Sequence, residues 1–195
     1  MISLWVKIPY TLFVLVLVPV YWNRYGPQNF LWFSDIALIG TLAALWLESS
    51  FLLSMMATGA LLFDIVWNAI FFFKLVAGGS RESLVGYMFN PEIALFVRAL
   101  SLFHVGLPII QLWALGKLGY DPRAWKYQAL FGCVVLALTY ALTRPEDNIN
   151  WVYGMAAGPQ KWVHPLLYLA GAMVVYPTLV CFPTHLVLSW LFRKK

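Results

Sequence analysis

Three apolar stretches of the sequence carry groups able to do chemistry. Ser34 and Asp35 stand side by side in the first, and Asp64 and Asn68 lie four residues apart in the second, so the latter two share one helical face. In the third, Arg98, Ser101, His104, Pro108 and Gln111 follow at spacings of three, three, four and three, which draws one continuous stripe along a helix. A hydroxyl, an imidazole and a carboxylate are the parts of a nucleophilic triad. Ser34 would attack, His104 would take its proton, and Asp35 or Asp64 would orient the ring. Arg98 or Asn68 would hold a phosphate or stabilise an oxyanion. Asp35, Asp64, His104 and His164 also form a chemically reasonable divalent-metal set, but no HxxxH or HExxH spacing accompanies them. The expectation is therefore a site with neither metal nor cofactor. Further along, Asp147-Asn148-Ile149-Asn150-Trp151-Val152-Tyr153-Gly154 places Asn150, Trp151 and Tyr153 where a substrate head group could be read and the cluster covered.

Such groups are informative because of what surrounds them. The chain of 195 residues is 62% hydrophobic and only 11% charged, with a mean hydropathy of +0.77. A soluble domain carries roughly a quarter charged residues, so this chain has too few to cover a water-exposed surface. That composition excludes a cytosolic enzyme, a secreted domain and a disordered chain. The net charge of +5 comes from scattered Lys and Arg, and the longest basic run is Arg193-Lys194-Lys195, which suits a membrane surface rather than nucleic acid. Cys133 and Cys181 both lie inside apolar runs and imply no disulfide framework. The first apolar run is followed by no A-x-A-like cleavage site and reads as a retained span.

A membrane-crossing helix needs about 20 apolar residues. Six segments qualify, at 4–21, 30–47, 51–75, 92–116, 126–143 and 163–188, each continuously apolar rather than alternating like barrel strands. Gly, Pro and charged residues punctuate them, at Asn23–Pro27, Glu48–Ser50, Gly78–Glu82, Gly119–Arg123 and Arg144–Lys161. The expected fold is thus all-α, a polytopic single bundle of six transmembrane helices over 1–195. An even number of spans puts both termini on one side. Lys7, Lys117, Arg123, Lys126, Arg193, Lys194 and Lys195 fall on that side, against Arg24, Lys74, Arg81, Arg144 and Lys161 on the other. This excess places both termini in the cytoplasm. The ionisable stripe then faces the bundle interior, with Ser34, Asp35 and Arg98 in its outer half and His104 and Asp64 near mid-membrane. His185 falls near the inner end, away from the cluster, and reads as structural.

The phrases Phe30-Leu31-Trp32-Phe33-Ser34-Asp35-Ile36-Ala37-Leu38, Leu102-Phe103-His104-Val105-Gly106-Leu107-Pro108, Asp147 to Gly154, and Pro183-Thr184-His185-Leu186 resemble those of bacterial uncharacterised "membrane-associated proteins". The resemblance runs from about residue 22 to 190 and brings no established activity. More distantly, the motif order is similar to the YwaF-like integral membrane proteins and to related intramembrane acyltransferases and fatty-acid-ester hydrolases. Those proteins pair a Cys or Thr nucleophile with a His inside membrane helices. Carried over, the nucleophile falls on Ser34, the His on His104, and a further family phrase near Asn150 to Tyr153. The chain departs from that pattern in having Ser for Cys and one His where YwaF-like chains have two. The combined expectation is an inner-membrane acyltransferase or ester hydrolase directed at membrane lipids, with no nucleic-acid partner. The alternative is a non-enzymatic lipid-binding or transporter-like protein whose buried charges are a structural ion-pair network.

Overall fold

In hydrocarbon a backbone has no water to bond to, so an uninterrupted apolar run satisfies its N–H and C=O groups by coiling. The chain does this along every such run. The computed structural model describes residues 1–78, 84–155 and 159–192, and among these no strand occurs. The Gly79–Glu82 part of the third break, Arg81, and the terminal Arg193-Lys194-Lys195 lie outside the described residues.

The helices are α1 (Leu4–Tyr25), α2 (Phe33–Leu47), α3 (Ser50–Ala77), α4 (Leu95–Leu100), α5 (Phe103–Leu118), α6 (Ala124–Leu142), α7 (Pro165–Val175) and α8 (Phe182–Leu191). A short turn at Ser101-Leu102 joins α4 to α5, and the two make one apolar span, Leu95–Leu118. A π-helical turn, Tyr176–Cys181, joins α7 to α8 into a span at Pro165–Leu191. Together with α1, α3 and α6 these are five helices long and apolar enough to cross a membrane. The chain is an all-helical membrane protein. Its sixth apolar segment differs from the 18 residues expected: α2 has 15 residues, preceded by a 3-10 turn at Pro27–Leu31. At 1.5 Å per residue α2 is about 22 Å long, against a hydrocarbon core of about 30 Å.

The long helix α3 is the hub, packed on α2, α5, α6 and α8. Small buried residues, Ala57, Gly59 and Ala60, bring its neighbours close, as membrane helices without a hydrophobic driving force require. Tyr176, the first residue of the π turn, fills the notch between α3 and α6. Its hydroxyl donates to the Gly59 carbonyl at 3.3 Å and accepts from Gln128 Nε2 at 2.8 Å. Its ring stacks on Phe33 at 4.3 Å between centroids, which seats the first turn of α2. A Cβ on Gly132 would run into that ring. At the opposite end, Glu48 closes α2 in a left-handed conformation (φ 50°) and accepts from Lys7 Nζ at 2.8 Å and from the Ile2 N–H at 3.0 Å, tying α1 to the α2–α3 turn. His185 is satisfied at that end by the Tyr120 hydroxyl at 2.9 Å and stacks against Trp125. Cys133 and Cys181 are both free.

Two predictions follow from this packing. Gly132→Ala forces the Tyr176 ring out of its notch and lowers stability by about 1–3 kcal/mol, the usual range for overpacking, read as a reduced unfolding midpoint in detergent. The Lys7 ammonium, followed by the Ile2 N–H, holds the Glu48 carboxyl below its ordinary value of 4.5. The unfolded chain therefore protonates Glu48 at a higher pH than the folded one. Its contribution is complete above the ordinary value and is lost as the pH falls through the lowered one. Scanned from about pH 6 to about pH 3, the unfolding midpoint of Glu48→Gln falls less steeply than that of the wild type.

Candidate functional site

Asp64 lies midway along α3 with its side chain wholly buried, and a carboxylate there is tolerable only if something answers its charge. His104, in the first turn of α5, does so, with Nδ1 2.7 Å from Asp64 Oδ1. The ring is held on other sides by stacking against Trp67, at 4.6 Å, and Phe103, at 4.1 Å. With Asp64 ionised, His104 Nδ1 is the donor, and the neutral tautomer that fits this pairing leaves a lone pair on Nε2.

The backbone beneath this pair is fixed by a proline. Pro108 has no N–H, so the carbonyl four residues back, that of His104, loses its helical partner. Asn68, one turn beyond Asp64 on α3, supplies the missing donor. Its Nδ2 reaches the His104 carbonyl at 2.6 Å and the Asp64 carbonyl at 2.8 Å. The Asp64/Asn68 and His104/Pro108 spacings, both of four, thus interlock into one clamp between α3 and α5.

Above the clamp is a cavity of about 250 Å³, enclosed by the C-terminal turns of α1, the start of α2, α3, α5 and the connecting segments at that end of the bundle. Ser34, Asp35 and His104 line it. Ser34 comes close enough to interact with the Asp64 carboxyl, but no hydrogen bond closes, since the buried Asp64 Oδ2 has no partner. Asp35 is 5% exposed, and its Oδ1 also has no partner. Aromatic rings form much of the wall, and among the described residues no Lys or Arg lines it. Tyr21 and Ser101 share a hydroxyl–hydroxyl hydrogen bond of 2.6 Å, and Trp67 Nε1 donates to the Tyr87 hydroxyl at 3.2 Å. Burial pushes the Tyr87 phenol, in the α3–α4 connection, up to about 12, so it stays protonated at neutral pH.

The segment after α6 contributes Asn150 and Trp151 to the cavity wall, and its described residues divide the work. Asn150 is a brace: its Oδ1 accepts from the Phe33 N–H at 3.1 Å and its Nδ2 donates to the Leu31 carbonyl at 2.7 Å, capping the start of α2. Trp151 lines the cavity in a left-handed conformation (φ 55°), beside Asn148 and Asn150 in the same region. For a bulky residue that conformation is strained, and it persists because the surrounding contacts hold it. Tyr153 does not line the cavity. Its hydroxyl meets the Tyr140 and Thr143 carbonyls at the end of α6, both at 2.7 Å.

Of the remaining expectations, Arg98 is displaced. Its Nη1 donates to the Met88 carbonyl at 2.9 Å, it does not line the cavity, and among the described residues it pairs with neither Asp35 nor Asp64. Three-residue turns, Ser101 N–H to Arg98 and His104 N–H to Ser101, join α4 to α5 between them, and the Arg98 side chain leaves the stripe for the Met88 carbonyl of the α3–α4 connection. Asn68 sits behind the cavity as part of the clamp, not in its lining. His164 is occupied at the start of α7, where Nδ1 accepts from the Leu166 N–H at 3.3 Å, and among the described residues no three His, Cys, Asp or Glu gather to hold a metal. Ser101, of the expected stripe, does line the cavity, whereas sequence reasoning missed Tyr21, Trp67 and Tyr87 as wall residues, because Trp and Tyr read as an interfacial belt. Trp67 did carry a signal, standing one helical turn from Asp64.

The clamp can be tested directly. Asn68→Ala strands the His104 carbonyl and lowers stability by about 1–3 kcal/mol. Pro108→Ala restores the helical N–H, so in that background the loss from Asn68→Ala falls by more than half; a double-mutant cycle on detergent unfolding that gives additive losses would refute the clamp. Comparison with protein-family profiles, with curated proteins and with solved structures returns no match.

Proposed function

We propose that this chain is an intramembrane enzyme that transfers or hydrolyses the acyl group of a lipid ester. Ser34 is the nucleophile, His104 the general base, and Asp64 the group that orients the imidazole. The observation that carries the reading is the 2.7 Å Asp64–His104 pair beside a cavity that Ser34 also lines. In the reaction Ser34 turns from Asp64 toward His104 Nε2, which takes the hydroxyl proton as Oγ adds to the ester carbonyl. The tetrahedral adduct collapses, the leaving alcohol receives that proton from His104, and an acyl-Ser34 remains. Water or an acceptor alcohol then repeats the sequence in reverse. Asp64 stabilises the imidazolium that forms at each stage.

A second feature supports a lipid. Phe103 borders both this cavity and an apolar groove of about 500 Å³ between α1 and α5, walled by Trp5, Pro9, Phe13, Leu102 and Gly106. An acyl chain in that groove would bring its ester to the cavity wall. The motif resemblance to YwaF-like proteins points to the same pair of residues. In this reading the protein sits in a bacterial inner membrane with both termini cytoplasmic, so that the cavity opens toward the outer leaflet.

The rival reading is lipid binding without chemistry, and the unclosed contact at Ser34 favours it. A serine-reactive fluorophosphonate separates the two. The enzyme reading expects labelling of the folded wild type, none of Ser34→Ala, and labelling slowed by roughly 100-fold or more in His104→Ala. Equal labelling of wild type, Ser34→Ala and His104→Ala would reject it.

A further inference from the structure

Among the described residues Asp35 has no counter-charge. His104 answers Asp64, and among the described residues no Lys or Arg lines the cavity, which leaves a second buried carboxyl whose Oδ1 has no partner. An ionised carboxylate in such a site requires a cation beside it, since without one the buried group is neutralised by a proton instead. The walls supply the other half of the pattern. Tyr21, Tyr25, Trp32, Tyr87 and Trp151 turn an aromatic lining on the same space, and ring faces attract ammonium groups, most strongly where water is excluded.

We infer that the cavity binds an ammonium group, with Asp35 as its counter-ion and the Tyr and Trp rings as its cage. An anionic phosphate is the wrong charge for the interior, because it would face Asp35 with no Lys or Arg to hold it. A volume of about 250 Å³ is below the usual range for a drug-sized ligand and suits a head group rather than a whole lipid. The ammonium belongs either to an ethanolamine- or choline-type lipid head group or to a free small amine. The inference takes the cavity as the substrate site proposed above, naming the substrate's head group, but it concerns binding alone.

The test uses the full chain in nanodiscs of phosphatidylglycerol, with intrinsic fluorescence of the cavity tryptophans as the signal. Tetramethylammonium and ethanolamine are titrated beside 3,3-dimethylbutanol, the neutral isostere of choline. The expected result is saturable quenching by the ammonium probes, at least about tenfold weaker response to the neutral isostere, and a similar loss in Asp35→Asn. Trp32→Leu, which leaves every carboxyl in place, weakens the ammonium probes and spares the isostere. Nanodiscs containing phosphatidylethanolamine or phosphatidylcholine suppress the titration if the lipid head group is the ligand; an unchanged titration assigns the site to free amines. Equal affinity for the neutral isostere, or no saturable ammonium binding by folded protein in phosphatidylglycerol, overturns the inference. Ser34→Ala retains ammonium binding, so binding without fluorophosphonate labelling rejects the catalytic reading and leaves this one standing.

Discussion

A carboxylate buried in the middle of a membrane bundle has to be answered by another residue, and Asp64 organises the molecule around that demand. It recruits His104 from α5, and the pair fixes the approach of the two helices at their deepest point. Because the partner is an imidazole rather than a guanidinium, the match leaves a nitrogen over. A structural ion pair would use all its donors against the acid, whereas His104 spends one nitrogen on Asp64 and keeps the other. The imidazole that hydrogen-bonds the buried acid thus keeps a second nitrogen, the group that the proposed reaction would use as its base.

Prolines extend this logic to the backbone. Pro108 frees the His104 carbonyl, and Asn68 of α3 takes it up; Pro177 frees the Met173 carbonyl, and Cys133 Sγ of α6 approaches that oxygen at 3.4 Å. In water either carbonyl could be solvated, but in hydrocarbon each becomes a demand that a neighbouring helix can meet. A helix defect thus acts as an adhesive with an address. The two defects flank the hub helix on opposite sides, α5 and the π turn, and both help to seat the residues around the cavity.

How far the sequence could be read depends on whether a feature is local. The bundle, the membrane setting and five of its long spans are legible because apolar runs and their breaks are properties of single segments. The Asp64/Asn68 pairing on one face is legible for the same reason. The meeting of Asp64 with His104 was one of two options in the sequence, since Asp35 was an equal candidate, and only packing separates them. Arg98 shows the limit most clearly. Its spacing to Ser101 and His104 suits a helical stripe, yet its guanidinium is taken by the Met88 carbonyl of the α3–α4 connection, a partner that no spacing within Arg98–Val105 announces. Asn150 lines the cavity yet spends its amide on the start of α2, and Tyr153 bears a hydroxyl suited to a ligand that goes instead to backbone at the end of α6.

The cavity itself follows from the length of α2. A helix of about 22 Å cannot fill a layer of about 30 Å, and it is the C-terminal end, held by Glu48 and Lys7, that is anchored near the start of α1. The shortfall therefore collects above Phe33. Something must close that gap, because the first N–H groups of α2 would otherwise face an empty apolar space, and Asn150 does so for Phe33 from a segment bent through three left-handed residues. The strain in that segment is offset by the helix end it caps. Its side effect is to bring Trp151 into the same cavity wall as Ser34 and Asp35, so one short helix determines the position of both groups, the space beside them and a ring that borders it.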